Sequence, residues 1–302
     1  MTPRQPRDRG PGGAPPSPFH PGEREVQRLA GVRAEAETRG QRMLTADVNA
    51  QQVAFFSRLP FLLSAHLDSA GQPWAGLVTG EPGFVDIDAA TRRCSLDWRR
   101  AASPTQLQAG AGDAIGLLGI DLATRRRNRL NGQLLVAGAQ CWDIAIEQGY
   151  GNCPQYISER AWPAQRFAGP YSLHERDGLD AAARALLARS DTAFIASASG
   201  PADEQDPSLP GAWGVDVSHR GGDPGFLRTQ GTTLSFEDFP GNNLFNTLGN
   251  LHRYPPCSLL ALDFASGEVL QLGARGSVEQ TASGRRVRLD VHTTRWWRRQ
   301  GD

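Results

Sequence analysis

Leu117-Leu-Gly-Ile-Asp121 returns as Leu259-Leu-Ala-Leu-Asp263, and Gly80-Glu-Pro-Gly-Phe-Val85 returns as Gly222-Asp-Pro-Gly-Phe-Leu227. Both pairs are offset by 142 positions (259 − 117 and 222 − 80). Each motif is weak alone, but two matches at one spacing indicate a duplicated domain rather than coincidence. The period is too long for a solenoid, so two similar units packed as a pseudo-dimer are expected. The length of 302 residues agrees, being about twice the ordinary domain length of ~150.

Around these motifs the chain alternates short apolar runs with turn signals. Phe61 to His66, Trp74 to Val78 and Phe84 to Ile87 are separated by Asp-Ser-Ala-Gly and Glu-Pro-Gly, which predicts an antiparallel meander. Ala114 to Asp121 and Arg129 to Ala137 add two strands, enough to curl into a small barrel. Thr192 to Ser197 and Trp213 to Ser218 take the places of Pro60 to Ala65 and Trp74 to Thr79. Helices are predicted within Gly22 to Gly40, over Asn49 to Arg58 and over Leu179 to Arg189. The expected fold is mainly β with peripheral helices, an α+β chain. Its divisions are a disordered tail over 1–18, helices and a first barrel over 19–178, and a second barrel over 179–302.

Composition removes several function classes. All 32 basic residues are arginine, so a pyridoxal phosphate Schiff base and a P-loop, both of which need lysine, are excluded. The 32 acidic residues balance them, leaving no overall positive field for nucleic acid or anionic membrane. No apolar run reaches the ~20 residues of a membrane span, and no h-region follows the N-terminal arginines, so a cytoplasmic location is expected. Cys94, Cys141, Cys153 and Cys257 are scattered, and His20, His66, His174, His252 and His292 form no ligand-spaced pair, so no metal site is expected.

The second copy becomes polar where a ligand could approach. Ser218-His-Arg-Gly-Gly222 ends a strand with hydrogen-bond donors and flexible glycines. Asp238-Phe-Pro-Gly-Asn-Asn-Leu-Phe-Asn-Thr-Leu-Gly-Asn250 reads as a turn and a helix entered through Asn242 or Asn243, whose free N–H groups could cradle a phosphate. The same asparagines would serve equally as plain caps. Arg220 is the nearest arginine to such a cradle. In the first copy, strand alternation would put Arg125, Arg127 and Arg129 on one face, around an anion or along a solvated hairpin rim. His219 is the proton-handling candidate, or a structurally satisfied histidine. Cys153 lies in a loop able to approach the same ligand.

Gly214 to Glu279 resembles the FMN-binding core of the pyridoxamine 5′-phosphate oxidase family, whose strand, hairpin, phosphate-binding turn, helix and two long strands follow in this order. Leu270-Gln-Leu-Gly-Ala-Arg-Gly-Ser-Val-Glu279 is similar to that family's RQVRxxGxVE strand, which puts Gln271 at its flavin-contacting glutamine. The basic phosphate turn of the true oxidases is replaced by Gly241-Asn-Asn243, and their C-terminal Arg-Leu-x-Pro is missing, so pyridoxamine phosphate is not the expected substrate. The wider resemblance is to double-barrel relatives, through Phe19-His-Pro-Gly-Glu23, Leu118 to Arg129 and Gly151-Asn-Cys-Pro-Gln-Tyr-Ile157. It implies two tandem split β-barrels with FMN in the groove between them. The phosphate would lie near Arg220, Asn242, Asn243 and Asn246, and the ring near Val217, Ser218, His219 and Gln271. The implied activity is FMN-dependent oxidation or reduction of a small organic substrate, with NAD(P)H or a redox protein as electron donor and a homodimer as an open arrangement. A non-enzymatic flavin-binding or electron-relay protein, a haem- or deazaflavin-binding barrel, and an interaction module with a lost pocket are the rivals.

Overall fold

The computed structural model describes residues 15–300, apart from 202, 203, 205, 207, 210 and 283. The expected tail therefore lies outside the described residues through position 14, while the Ser17 hydroxyl donates to Glu37 at 2.8 Å and Phe19 is fully buried. Three helices open the chain: α1 (Pro21–Leu29), α2 (Arg33–Met43) and α3 (Ala50–Phe56). The stretch expected to be helical from Gly22 to Gly40 is split, because Gly31 takes a left-handed φ of 71° and turns the chain between α1 and α2. Asn49 and Gln52 cap α3 reciprocally.

The first sheet contains β1 (Phe61–Leu67), β2 (Pro73–Gly80), β3 (Val85–Asp88), β4 (Arg93–Asp97), β5 (Ala101–Ala102), β6 (Ala114–Asp121), β7 (Arg126–Ala137) and β8 (Cys141–Asn152). After a 3-10 turn come β9 (Tyr171–Asp177), α4 (Ala181–Arg189), β10 (Thr192–Ala198), β11 (Val215–Gly221), β12 (Arg228–Gln230) and β13 (Thr233–Glu237). Helix α5 (Asn246–Arg253) and strands β14 (Pro256–Leu262), β15 (Val269–Thr281) and β16 (Gly284–Arg299) complete the second. The molecule is thus mainly β, two eight-stranded antiparallel sheets with five helices.

Without β5 the first sheet runs β3-β4-β8-β7-β6-β1-β2, and without β9 the second runs β12-β13-β16-β15-β14-β10-β11. The two orders correspond strand for strand. Registers correspond as well: Leu118 faces Arg129 across β6 and β7, and Leu260 faces Gln271 across β14 and β15, each residue 142 positions from its counterpart (260 − 118 and 271 − 129).

Three apolar cores hold these layers. Leu62, Val78 and Leu117 belong to one core of the first sheet, while Ala193, Ile195 and Leu259 belong to one of the second. Between the sheets lies a shared core, where Phe61, Leu63 and Leu118 meet Phe194, Ala196 and Leu260. Successive residues of β1 and β10 therefore enter different cores, which is why both strands read as unbroken apolar runs instead of alternating ones. The shared layer fixes the edge strand β11 against β6 and sets the two sheets' polar strand ends facing each other.

Candidate functional site

Strand alternation builds the floor of a cleft at that junction. On β11, Val215 and Val217 enter the shared core, while Asp216, Ser218 and Arg220 face the other way. From the first sheet β7 brings Arg127 and Arg129 to the same place. The loop after β8 and the segment from β13 into α5 form the walls, and the cleft encloses about 1010 Å³ with its open mouth included.

Arg129 is the anchor, 4% exposed. Its Nη1 donates to the Tyr150 hydroxyl at 2.6 Å, to Asp216 Oδ1 at 3.1 Å and to Asn246 Oδ1 at 3.4 Å, and its Nη2 donates to Ser218 Oγ. Burial works against its charge, yet Tyr150 and Asp216 outweigh it, so the pKa of Arg129 is raised. The network continues behind the cleft: Asn246 Nδ2 donates to Glu23 of α1 at 2.6 Å, and Asn250 Nδ2 donates to Asp216 at 3.1 Å. Burial, then the neighbouring Asp216, pushes the Glu23 carboxyl well above the usual carboxylate range. Arg129 and Asp216 form an ion pair at 3.1 Å.

Arg127 and Arg220 are not matched. Arg127 Nη1 donates to His219 Nδ1 at 2.9 Å, and Arg220 Nη1 to its neighbour's carbonyl at 3.3 Å. Neither forms an ion pair among the described residues, and both Nε atoms are buried without a partner. Burial, then Arg220 and Arg129, lowers the pKa of Arg127 to about 10; burial lowers that of Arg220 too. Because a guanidinium can only donate, His219 Nδ1 is an acceptor and its proton sits on Nε2, which is also buried and unpartnered. Burial and the flanking arginines hold His219 well below its ordinary pKa, so it is a neutral imidazole. Asn152 Nδ2 adds a further unpartnered donor in the lining. Unanswered donors and unpaired positive charge in one place are the signature of an anion site.

The helix start at the cleft differs from the expected one. Asn242 and Asn243 do not cap α5: Asn242 Oδ1 accepts from Leu244 N at 3.1 Å, Asn243 is left-handed at φ 59°, and the N-cap is Phe245, also left-handed at φ 60° and without a side-chain cap. The two left-handed residues delay helix entry by two or three positions, and the open first turn of α5 lines the cleft. Arg39 and Gln27 hold this segment by donating to the carbonyls of Asn242 at 2.5 Å and Leu244 at 2.9 Å.

Of the residues singled out from sequence, Ser218, His219, Arg220, Arg127 and Arg129 share the cleft with Asn242, Asn243 and Asn246, and Cys153 lies on its wall. Three do not. Arg125 sits in the exposed turn before β7 with φ 55°, where alternation does not apply. Val217 is fully buried in the shared core. Gln271 is 2% exposed, donates to the Ala75 carbonyl of the first sheet at 2.6 Å and accepts from Trp297 Nε1 of its own sheet at 2.5 Å, so both ends of its amide are engaged away from the cleft. Asp216, Tyr150 and Glu23 were missed; the i, i+2, i+4 spacing of Asp216, Ser218 and Arg220 is the signal that finds the first of them.

Among the described residues no group of three or more His, Cys, Asp or Glu side chains could hold a metal, and no helix is long and apolar enough to cross a membrane. No protein-family model and no curated protein matches the chain. Among solved structures it is similar to a protein from Lactobacillus delbrueckii described as a candidate pyridoxamine 5′-phosphate oxidase, with 14% identity, TM-score 0.29, and 38% of this chain and 93% of that one covered. It is also similar to the inhibitor of motility of Bacillus subtilis, with 7% identity, TM-score 0.21, and 77% and 87% covered. Both scores lie below the level that establishes a shared fold.

Proposed function

We propose that the chain is a tandem pair of split β-barrels, packed as a pseudo-dimer, that binds one FMN in the cleft at their junction and acts as an FMN-dependent oxidoreductase. One observation carries this reading: Arg127, Arg220 and His219 present buried donors with no partner beside the uncapped first turn of α5. That donor set suits a phosphate dianion, since each charge-assisted bond contributes roughly 1.5–3 kcal/mol and a guanidinium matches phosphate geometry.

The phosphate would be held by Arg127, Arg220 and the Nε2–H of His219, with Asn242 and Asn243 at the turn. Arg129 is already committed to Asp216, Tyr150, Ser218 and Asn246, so it orders the floor and keeps a positive charge below it. His219 is a neutral donor here and not a proton carrier, a reassignment of the role its type first suggested. FMN, when bound, supplies two-electron redox chemistry toward a small organic substrate, with NAD(P)H or a redox protein as the source of electrons. The protein's own share is to orient, to donate hydrogen bonds and to exclude water from a floor buried between two sheets.

A single FMN per chain is proposed because the counterpart of Arg129 in the second copy is Gln271, whose amide is closed by Ala75 and Trp297. The purified chain should carry, or take up from added FMN, a yellow chromophore that survives desalting at one equivalent. A colourless protein that ignores FMN, or a haem spectrum, overturns the assignment; two equivalents overturn the stoichiometry.

A further inference from the structure

Two partly exposed aromatic side chains stand over the cleft. The large hydrophobic residues exposed among the described residues are Leu29, Val136, Leu173, Tyr156 and Phe239, and the last two, 42% and 41% exposed, are stacked on each other. Their ring centroids are 5.1 Å apart with 21° between planes, and the Tyr156 hydroxyl donates to the Pro240 carbonyl at 3.3 Å. Tyr156 comes from the loop after β8 and Phe239 from the loop after β13, so each sheet contributes one ring. Both line the cleft that holds Arg127 and Arg220.

The backbone pays for this placement. Tyr156 has a left-handed φ of 65°, a strained state for a bulky residue. Its carbonyl oxygen is wedged against Gly221, where a Cβ would come within 1.9 Å, so only glycine at the end of β11 admits the loop. Asn243 and Phe245, across the cleft, are left-handed as well. Non-glycine residues forced into that region gather at ligand clamps, and here three of them surround one cleft.

We infer that Tyr156 and Phe239 form an aromatic platform that selects a ligand carrying a planar conjugated ring on its anionic group. This rests on the anion-binding part of the proposed function and not on the flavin. An anion alone would be satisfied at the arginines and would leave two apolar faces in water. A flat ring on the same molecule covers one outer face of the stacked pair and extends the stack, with its ring offset. The ring can belong to the flavin or to an aryl substrate that carries its own phosphate or carboxylate.

The test uses the full chain and four probes, with affinities from calorimetric or dialysis titration. Phenyl phosphate should bind about 3- to 10-fold tighter than methyl phosphate. Phe239→Leu, at an exposed site that keeps the fold, and Tyr156→Leu should each remove most of that preference and leave methyl phosphate unchanged. Equal binding of the two esters to the wild-type chain, or a preference that survives both substitutions, overturns the platform even if FMN binds. FMN and riboflavin then identify the ring: losses matching those of phenyl phosphate place the flavin on the platform, and unchanged FMN affinity with pair-dependent phenyl phosphate binding in its presence places a second molecule there. A chain that ignores FMN but keeps the phenyl preference refutes the flavin and sustains the platform. Failure of both esters to bind refutes the anion site and the platform together.

Discussion

Replacing Arg127 by glutamine should weaken ligand binding and leave the empty protein as stable as before, or more so. Burial and two neighbouring guanidinium groups lower Arg127 from the ordinary arginine range to about 10. At about 1.4 kcal/mol per pH unit, that corresponds to on the order of 3 kcal/mol against keeping the charge in the folded state. Solvent reaching this half-buried side chain trims the penalty to ~1–2 kcal/mol. The sign follows from linkage: the folded chain holds the Arg127 proton less tightly than the unfolded chain, so the penalty is fully present below pH 10 and is relieved only above it. Against this stands the bond from Nη1 to His219 Nδ1, whose loss costs ~1 kcal/mol. Arg127→Gln should therefore unfold in urea at the wild-type stability or up to about 1 kcal/mol above it in ligand-free buffer. Its FMN affinity should fall by about 10- to 100-fold, through loss of one charge-assisted contact. At one fixed excess of FMN, the stabilisation it gives should be smaller than in the wild type by about 1.4–2.7 kcal/mol, the logarithm of that fold-change. A variant that loses more than ~2 kcal/mol without ligand, yet binds FMN like the wild type, would show that Arg127 is a structural residue and that the unpartnered donors have been misread.

Further substitutions test the cleft floor and a buried histidine outside the cleft. Arg129→Met leaves Asp216 buried without its cation and strips donors from Tyr150, Ser218 and Asn246, so denaturation should show a loss of ~3–5 kcal/mol, partly recovered by adding Asp216→Asn; a loss under ~1 kcal/mol contradicts the anchoring role. His66, 2% exposed and accepting from Gln108 N at 3.1 Å, has its pKa lowered by burial from 6.5 to about 4, with Asp68, Asp113 and Arg295 as its charged neighbours. The unfolded chain binds that proton first, so His66 should contribute a loss of stability on the order of 3 kcal/mol as pH falls from 6.5 to 4, beside losses of the same sign from His20 and His219, and His66→Gln should make the fall shallower by about that amount. Identical pH profiles for the two proteins would refute the assignment.

The strands nearest the repeats were legible because their physics is local. β1, β2, β6 and β10 are short apolar runs bounded by Gly, Pro and Asp, and β6 and β14 carry one of the two motifs that repeat at 142 positions. The long strands were less so: β15 shows through the resemblance of Leu270 to Glu279 and not through alternation, because Arg275, Ser277 and Glu279 are exposed along the half that reaches beyond the cores, and the many arginines of β16 hide it in the same way. The same limit explains the helix at the cleft. Asn242 and Asn243 have the right chemistry for a cap, but cap position depends on backbone angles, and two left-handed residues push helix entry on to Phe245 and Asn246.

Gln271 exposes a subtler source of error, one that duplication itself creates. Its strand resembles a flavin-contacting strand, and it occupies the place in the second sheet that Arg129 occupies in the first, across the equivalent leucine. In a symmetric dimer the two positions would be one residue, and the motif would name it correctly. In this chain the two positions carry different residues: Arg129 of the first sheet aims at β11, and Gln271 of the second donates to Ala75 of β2 and accepts from Trp297. A motif then identifies the structural position but not which copy still faces a ligand. Charge decides that question, because a buried guanidinium without a carboxylate persists only where something anionic arrives to meet it, whereas an amide with both ends satisfied asks for nothing.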